Sequence, residues 1–340
     1  MAAAVVEDGR YILSNVVSSQ DEIHHKYGGI VPELASRRHL ETVIPVVEEA
    51  LNQAGVSIND IDAIGVTQGP GLVGSILVGL SFAKAVAYVK GMPFVGVNHI
   101  EAHPLSVFLE TGIRGQGSGI RNDNIRPPTP DPRYPVFPFI ALVVSGGHTT
   151  LFKFKDFCDS EILGQTRDDA AGEAFDKLAK LLGLGYPGGA VIDRLARSGN
   201  PSAIKFTRPY ISKDTFDFSF SGIKTAVLNY LKGFGKGDYS TIINDLSASF
   251  QEAVVDVLID KAVAACKANN IKDLSISGGV ACNTRLREKL ADKSRDNGIR
   301  LFLPEAKLCS DNGAMIAACA HHLLKKGGRG ELDMNAMPSM

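Results

Sequence analysis

Apolar and polar positions alternate along this chain with two periods, one typical of strands and one typical of helices. Short apolar runs predict strands at AAAVV, YILSNVVSS, IDAIGVT, PFVGVN, FIALVVS and LSIS. Between them, apolar residues at intervals of three and four predict amphipathic helices, for example from about Thr42 to Ala54 and from Ile242 to Asn269. This alternation predicts an α/β protein.

One helix, loop and strand pattern occurs twice, as VIPVVEEALNQAGVSINDIDAIGVTQGPG and as VVDVLIDKAVAACKANNIKDLSISGGVACN. The copies lie too far apart for a solenoid, so they predict two related lobes. A stretch rich in glycine, proline and arginine, residues 111–134, is an interlobe linker or a surface loop. We therefore expect an N-terminal lobe at 1–134, a C-terminal lobe at 135–311, and a terminal helix with a frayed polar tail at 312–340.

Composition narrows the class of protein. A chain of 340 residues that is 44% hydrophobic can bury a sizeable core, and its 36 basic and 37 acidic side chains give no overall charge for nucleic-acid binding. No uninterrupted apolar run approaches the roughly 18 residues of a membrane span, so we expect a cytoplasmic protein. The five cysteines form no CxxC pair, which predicts reduced thiols. Cys282, beside the second SGG sequence, is interpreted as a packing residue.

Two histidines one helical turn apart, His99 and His103, follow the strand PFVGVN directly. Their rings can point the same way and bind one metal ion, although this spacing also suits surface or capping histidines. Glu101 lies between them, whereas the zincin motif places its glutamate immediately after the first histidine. A thermolysin-like protease is therefore disfavoured. Asp311, at the start of the last helix, is by itself most simply a helix N-cap.

Glycine turns follow three predicted strands, at residues 69–74 (GPGLVG), 145–148 (SGGH) and 277–283 (SGGVACN). Each can bring backbone N–H groups against phosphate oxygens, although one such turn alone is more simply a strand-to-helix connection. Three turns, two of them sharing SGG, favour a pocket between the lobes.

Further polar residues are weaker candidates. In DDAAGEAFDKLAKLLGLGYPGG the leading acids are placed to cap a helix, and Asp176 is either a ribose ligand or an exposed acid near Lys180. The alternating phenylalanines of TFDFSFSGIK predict a half-buried strand that leads to Lys224, a possible phosphate contact.

Eight ordered motifs, taken together, resemble the bacterial TsaD type of tRNA threonylcarbamoyladenosine synthase, once called the O-sialoglycoprotein endopeptidase family. They are YGGIVPELASRRH, TQGPGLVGSILVG, NHIEAH, VVSGGHT, DDAAGEAFDKLAKLLGLGYPGG, FSFSGIKT, SGGVACN and SDNGAM. The resemblance extends from about Ala2 to Lys325. It implies the two-lobed fold of actin, sugar kinases and heat-shock ATPases, with the active site between the lobes.

The resemblance implies transfer of a threonylcarbamoyl group from threonylcarbamoyl-AMP to the exocyclic amine of adenosine 37, in tRNAs that read codons beginning with A. It implies that His99, His103 and Asp311 bind a divalent metal, with iron(II) expected and zinc or manganese as alternatives. It also implies that the donor is contacted by Val143, Val144, Ser145, Gly146, Gly147, Asp176, Gly189, Asp193 and Asn283. The contacts at 143–147 would be made by backbone groups, and Asp193 would contact the ribose.

The partners implied are tRNA, a paralogous subunit without the metal site (TsaB type) and a small P-loop ATPase (TsaE type).

Two departures from the family pattern stand out. The family's usual first strand does not precede MAAAVVEDG, which predicts a gap in the first sheet, and the segment before Tyr134 is longer than usual. The arginines in that segment are expected to be solvated, with tRNA phosphates as the alternative: Arg114, Arg121, Arg126 and Arg133. The competing functions are a non-catalytic scaffold of the same complex and a metalloprotease.

Overall fold

The computed structural model describes residues 1–20, 27, 29–111, 131–208, 215–234 and 239–339, and it confirms an α/β protein. The strands are β1 Ala2–Glu7, β2 Tyr11–Val17, β3 Ile64–Gly69, β4 Phe94–Asn98, β5 Glu110–Thr111, β6 Phe139–Val144, β7 Thr149–Asp156, β8 Asp159–Gln165, β9 Asp273–Ser277 and β10 Arg300–Phe302. The helices are α1 Pro32–Ala54, α2 Val73–Lys90, α3 His99–Ala102, α4 Ala171–Leu181, α5 Gly188–Ala196, α6 Ser221–Leu231, α7 Ile243–Ala268, α8 Thr284–Asp296, α9 Ala306–Cys309 and α10 Gly313–Lys325. All six predicted strands and both predicted helices are present.

The second half of the chain contains one continuous sheet of five strands, in the order β10-β9-β6-β7-β8. Strand β6 lies at its centre, parallel to β9 and antiparallel to β7. All six residues of β6 are fully buried, because α7 covers one face of the sheet and α10 with its neighbours covers the other. An apolar run buried on both faces is typical of such a central strand.

The first half contains two separate sheets, β1-β2-β5 and β3-β4. Within the described residues, β1 is paired with β2 alone and β3 with β4 alone. The first sheet is therefore divided between β1 and β3, as the resemblance predicts.

Helix α10 connects the separate sheets. On one side its Ala314 and Ala318 pack with Ala4 and Ile12 of the three-stranded sheet. On another, a Cβ placed on Gly65 of β3 would lie 2.3 Å from Ala320 Cβ, so the helix approaches that strand as closely as glycine allows. These contacts hold the N-terminal end of α10 in place. They therefore also position Asp311, which lies just before that end.

The C-terminal tail is not frayed over its described residues, so that prediction was wrong. The Met337 amide donates to the Gln68 carbonyl at 2.8 Å, and Gly71 donates to the Pro338 carbonyl at 3.2 Å. Met334 packs against the apolar cluster between α2 and β3-β4. The methionine and alanine side chains of the tail make apolar contacts, which offset the conformational entropy lost when the tail becomes ordered.

Three other expectations concern individual segments. Phe218 and Phe220 are fully buried, but among the described residues the segment forms an isolated bridge from Phe218 to Thr166 and no strand, so the predicted half-buried strand is wrong. Residues 112–130, including Arg114, Arg121 and Arg126, lie outside the described residues. The boundaries of the two lobes stay a prediction.

Helix α2 is long and apolar enough, by length and composition alone, to cross a membrane. This is weak evidence, and only 22% of the helix is buried in the chain.

Candidate functional site

His99 and His103 lie on a short helical segment that begins where β4 ends. The Asn98 side chain caps this segment, because its Oδ1 accepts hydrogen bonds from the amides of Ile100 at 2.9 Å and Glu101 at 3.3 Å. The chain continues into a 3-10 helix from His103 to Phe108, with Pro104 in its first turn. As a result the two imidazoles meet edge to face, with ring centroids 4.9 Å apart.

Asp311 does not cap the last helix, so the simplest interpretation of this residue was wrong. The cap is Asn312, whose Oδ1 accepts from the Met315 amide at 3.0 Å. The Asn312 amide group also donates to the carbonyls of Leu308 and Ser310. The neighbouring asparagine thereby holds the turn, and the Asp311 carboxylate is left to face the histidines.

The three predicted metal ligands come together in the structure. Asp311 Oδ1 lies 3.3 Å from His99 Nε2 and 3.2 Å from His103 Nε2. One ligand atom from each of the three residues lies within 4.8 Å of the others. Ligand atoms about 2.1 Å from a common ion are separated by roughly 3.0–3.4 Å at octahedral or tetrahedral angles. Both distances from Asp311 Oδ1 therefore suit ligands that share one divalent ion.

The electrostatics of the trio favour the forms that bind a metal. Burial lowers the pKa of His103, which is fully buried, and so favours the neutral imidazole. Neither ring nitrogen of His103 has a hydrogen-bond partner of good geometry in the described part of the chain. Burial among protein atoms acts to raise the pKa of Asp311, but the His103 and His99 imidazoles outweigh this effect. They hold the pKa of Asp311 well below its usual value.

The trio is closed on one side and open on the other. The His103 side chain is 0% exposed and the His99 side chain 19%, whereas the Asp311 side chain is 73% exposed. Many protein atoms surround the Asp311 carboxylate, but its side chain is still largely accessible to solvent. A ligand can therefore reach it. A substrate has access from the Asp311 side.

His148 belongs to this neighbourhood, although the sequence analysis gave its ring no role. Burial lowers its pKa first, and the charges of His99 and His103 lower it further, while Asp311 acts to raise it. The turn 145–148 therefore lies within electrostatic range of all three members of the trio. The sequence signal was the histidine that closes the SGGH motif.

The two SGG turns lie side by side, because they follow the adjacent parallel strands β6 and β9. Gly278 has φ +91°, and a Cβ at this position would lie 2.3 Å from the Val144 carbonyl oxygen. Only glycine permits both the conformation and the close approach. At Gly146, Gly147 and Gly279, in contrast, an added Cβ would meet no atom of the described residues within 4 Å, so among these residues the outer surfaces of the turns are open.

The five residues predicted at the first SGG turn divide into two groups. Val143 and Val144 are fully buried in the sheet and pair with Thr150 and Thr149 of β7. In residues 145–147, Ser145 is partly buried, whereas Gly146 and Gly147 are exposed. The inner side of the turn is fixed by the Gly172 amide, which donates to the Ser145 carbonyl at 3.2 Å.

Asp176 and Gly189 are brought together, as the prediction of a shared donor site requires. Asp176 Oδ1 accepts a hydrogen bond from the Gly188 amide at 2.7 Å, at the N-terminus of α5, and a further bond from the Gly189 amide. Burial raises the pKa of Asp176 despite these two bonds. The carboxylate is therefore half-buried at a helix end and is not the exposed surface acid of the alternative interpretation.

Asp193 and Asn283 are both buried and both support the N-terminus of α8. Asp193 accepts from the Thr284 amide at 3.2 Å and hydroxyl at 3.1 Å, and from Arg197 Nη2 at 2.9 Å. Asn283 Oδ1 accepts from the Leu286 amide, and its Nδ2 donates to Gln251 Oε1 at 2.7 Å. The sequence analysis missed Gln251, which is buried in the middle of α7 and carries no motif.

The contacts of the remaining candidates, among the described residues, do not support phosphate binding. The Gly71 amide of the GPGLVG turn is already bound to the tail. Arg133 is paired with Asp131 at 2.7 Å and Glu110 at 3.3 Å. The acids placed to cap α4 do not cap it: Asp168 instead accepts from the Phe220 amide and the Ser221 hydroxyl at the start of α6. Lys224 lies partly exposed in the first turn of that helix.

Glu101 faces away from the histidine pair. Its Oε1 accepts from Asn98 Nδ2 at 3.1 Å, and burial raises its pKa while Ser160 acts to lower it. This placement provides no general base at the trio, which weighs further against a zincin-like protease.

Comparison with known proteins gives a family match over most of the chain. The model of the family "TsaD: tRNA N6-adenosine threonylcarbamoyltransferase" matches residues 11–116 and 125–318. The tRNA N6-adenosine threonylcarbamoyltransferase of Geotalea uraniireducens is 52% identical over 337 residues, which cover 99% of this chain and 92% of that protein. The protein of the same name from Clostridioides difficile is 48% identical and covers 100% of this chain and 94% of its own length.

Among solved structures, full-length HypF in a phosphate- and nucleotide-bound form superposes with a TM-score of 0.56 at 16% identity. The match covers 83% of this chain and 49% of HypF. At this identity the likeness concerns the fold alone.

Proposed function

Because this chain belongs to the TsaD family of tRNA N6-adenosine threonylcarbamoyltransferases, we propose that His99, His103 and Asp311 hold a divalent metal ion beside the bound threonylcarbamoyl donor. The substrate is a tRNA, and the reaction transfers a threonylcarbamoyl group to N6 of an adenosine, which we take to be adenosine 37 of tRNAs reading codons that begin with A. The approach of Asp311 Oδ1 to both imidazoles is the observation that carries this proposal.

Two imidazoles and one carboxylate suit iron(II), zinc or manganese, and iron(II) is our expectation. Buried His103 supports an ion at this position, because its ring nitrogens make no hydrogen bond of good geometry among the described residues and a buried polar atom left in this way destabilises the fold. When bound, the ion supplies Lewis-acid polarisation of the carbamoyl carbonyl.

The donor is proposed to be threonylcarbamoyl-AMP, held by the backbone of residues 145–147. The open space at Gly146 and Gly147 lets a phosphate or carbamoyl oxygen approach the N–H groups of the turn. Asp176 is proposed to accept a ribose hydroxyl through the carboxylate oxygen that does not bind Gly188. Asp193 and Asn283 are already engaged in hydrogen bonds within the fold, so we assign them to positioning the second SGG turn.

In the reaction, the N6 amine attacks the carbamoyl carbon, the bond from that carbon to the phosphate oxygen breaks, and AMP leaves. The attacking nitrogen then releases one proton to the solvent. The chain contributes by holding the donor beside the amine, which replaces a bimolecular encounter with a positioned one. Since the amine is itself the nucleophile, no covalent intermediate on the enzyme is needed.

We also propose the partners expected from the resemblance, a paralogous subunit without the metal site and a small P-loop ATPase, and a cytoplasmic location alongside tRNA. A protein partner is supported by large apolar residues exposed on two packed helices, Leu40 and Ile44 on α1 and Leu77, Tyr88 and Val89 on α2. Exposed apolar patches of this kind mark interaction surfaces.

The non-catalytic scaffold is the second candidate, and metal content separates it from the transferase. The experiment is to purify the full chain without oxygen and measure bound iron, zinc and manganese by mass spectrometry. We expect about one ion per chain, and at least a tenfold loss of metal affinity in Asp311→Asn, because losing even an outer-shell partner costs ~10–100-fold. Asp292→Asn is the control, since Asp292 is an exposed acid on α8. A wild-type chain without metal, or equal metal in both variants, contradicts the proposal.

A further inference from the structure

Two cysteines that are distant in sequence meet next to the candidate site. Cys282 is exposed at the end of the SGGVACN turn, and Cys309 is buried at the end of α9. The two segments that carry them are in contact, and each thiol donates to a backbone carbonyl of the Cys309 segment: Cys282 Sγ to Ala306 at 3.5 Å and Cys309 Sγ to Pro304 at 3.7 Å. An exposed side chain does not match the packing role that the sequence analysis gave Cys282.

Arg287 holds these two segments together. Its Nε donates to the Ala281 carbonyl at 2.6 Å, on the Cys282 side, and its Nη2 lies 3.1 Å from Cys309 Sγ. The same Nη2 approaches the Pro304 carbonyl at 3.5 Å. The two sulfur atoms are therefore kept close by a rigid, positively charged group and do not meet by chance at flexible loop ends.

Each cysteine is next to one half of the candidate site. Cys282 immediately precedes Asn283, which supports the second SGG turn. Cys309 lies two residues before Asp311, in the turn that Asn312 holds. A covalent bond between the two sulfur atoms would consequently connect the donor side of the site to its metal side.

We propose that Cys282 and Cys309 are an oxidisable thiol pair, in which exposed Cys282 reacts with a low-molecular-weight disulfide and buried Cys309 closes the protein disulfide. The reactivity of such a pair depends on exposure of the attacking thiol and on a resolving cysteine beside it. The neighbouring Cys309 thiol is the main cause that lowers the pKa of the Cys282 thiol, and the Arg287 charge lowers it further, against the opposing effect of burial.

The reaction has two balanced steps. The Cys282 thiolate attacks one sulfur of the small disulfide, whose S–S bond breaks, so that a mixed disulfide forms and one small thiolate leaves. The Cys309 sulfur then attacks the Cys282 sulfur, and its proton goes to the second departing thiolate. Two protein thiols are oxidised by two electrons, and the small disulfide is reduced to two thiols.

The disulfide is expected to switch off the transferase, and this consequence rests on the proposed function. A disulfide brings its sulfur atoms to about 2.05 Å, much closer than two separate thiols. The end of α9 must then move towards the SGG turn. Asp311, two residues away, would leave the position in which its Oδ1 lies 3.2 Å from His103 Nε2.

The test incubates the full chain in mixtures of reduced and oxidised glutathione, blocks free thiols, and maps peptides by mass spectrometry. Transfer of labelled threonylcarbamoyl to tRNA is measured on the same samples. We expect a Cys282–Cys309 cross-linked peptide, together with at least a tenfold fall in initial rate that dithiothreitol reverses. Cys282→Ser should form no such cross-link and keep its rate under oxidising conditions.

The matched control is Cys158→Ser, because Cys158 belongs to a second close pair, 3.4 Å from Cys319 Sγ. This variant should still form the Cys282–Cys309 cross-link and still lose activity on oxidation. Absence of that cross-link at every glutathione ratio overturns the proposal, and a cross-linked chain with an undiminished rate overturns its regulatory consequence. If the reduced chain transfers nothing, the proposed function fails, while the peptide map still decides whether the pair forms.

Discussion

In the second half of the molecule β6 lies between two strands and is completely buried, whereas in the first half β1 and β3 each pair with one strand and all six residues of β1 are only partly buried. Both halves contain the repeated helix, loop and strand pattern, from α1 to β3 in the first half and from α7 to β9 in the second. The difference shows that the repeat in the sequence determines the local elements, while the number of strands available determines whether they form a closed core. The proposed donor turns lie on the closed half.

The largest expected effect compares equivalent core substitutions in the two halves. Leu142 of β6 is 0% exposed within a large core, and Leu80 of α2 is 1% exposed within a small cluster. Leu142→Ala should cost about 3–5 kcal/mol, and Leu80→Ala at least about 1 kcal/mol less, because a small cluster can collapse around the cavity. Hydrogen exchange measured separately in each half checks this. Equal losses would show that the two cores are equally rigid.

The second prediction concerns the turn at the end of β9. Gly278→Ala combines a positive φ with a clash against the Val144 carbonyl oxygen, so it should destabilise the second half by at least about 2 kcal/mol. Gly279→Ala is the matched control, since its Cβ meets no atom of the described residues within 4 Å. Urea unfolding followed by circular dichroism measures both. A Gly278 variant as stable as the Gly279 variant would contradict the close approach of β6 and β9.

The third prediction uses pH on the closed half. Burial acts to raise the pKa of Glu252, but Arg285 and Lys289 outweigh it and lower the pKa from 4.5 to about 2. A lowered pKa stabilises the fold above the unfolded pKa, and this contribution is lost as the pH falls from about 4.5 to about 2. Glu252→Gln should therefore cost about 2 kcal/mol at pH 7 and little at pH 2.

The control for Glu252→Gln is Asp292→Asn, which changes an exposed acid on α8. Exposed pairs contribute little to stability, so this variant should change the free energy of unfolding by less than about 1 kcal/mol at either pH. A Glu252→Gln penalty that does not change between pH 7 and pH 2 would refute the ion-pair explanation.

The smallest expected effect would make the two halves more alike. Adding a designed strand of alternating apolar and polar residues before Met1 should fill the open edges of β1 and β3 and join the two sheets of the first half. Amides of β1 and β3 should then exchange at least about tenfold more slowly, a difference of ~1.4 kcal/mol, while β6 is unaffected. The same added residues in scrambled order serve as the control. Unchanged exchange of β1 and β3 would show that the edges are not open to a strand.

Much of this arrangement was predictable, because it depends on short-range patterns. The apolar runs located six strands, and the matching SGG turns placed β6 and β9 at one edge of the site. The assignment of Asp311 to the histidines came from the resemblance, since no local pattern joins residues more than two hundred positions apart. The structure then brought its carboxylate next to both imidazoles.

Other features depend on tertiary contacts that the local pattern does not contain. The role of Asn312 as helix cap was hidden because Asp311 is an equally good capping residue. The tail looked polar and frayed, but Met334 finds an apolar cluster over β3-β4. The cysteine pair could not be seen because Cys282 and Cys309 meet only after α8, β10 and α9 have folded back.

The most direct test of the central claim is transfer of labelled threonylcarbamoyl from its adenylate to unmodified tRNA, with the two partner proteins supplied and the metal present. We predict transfer by the wild-type chain and at least a hundredfold loss in the Asp311→Asn variant. Transfer that persists in Asp311→Asn, or no transfer by the wild-type chain, would contradict the account.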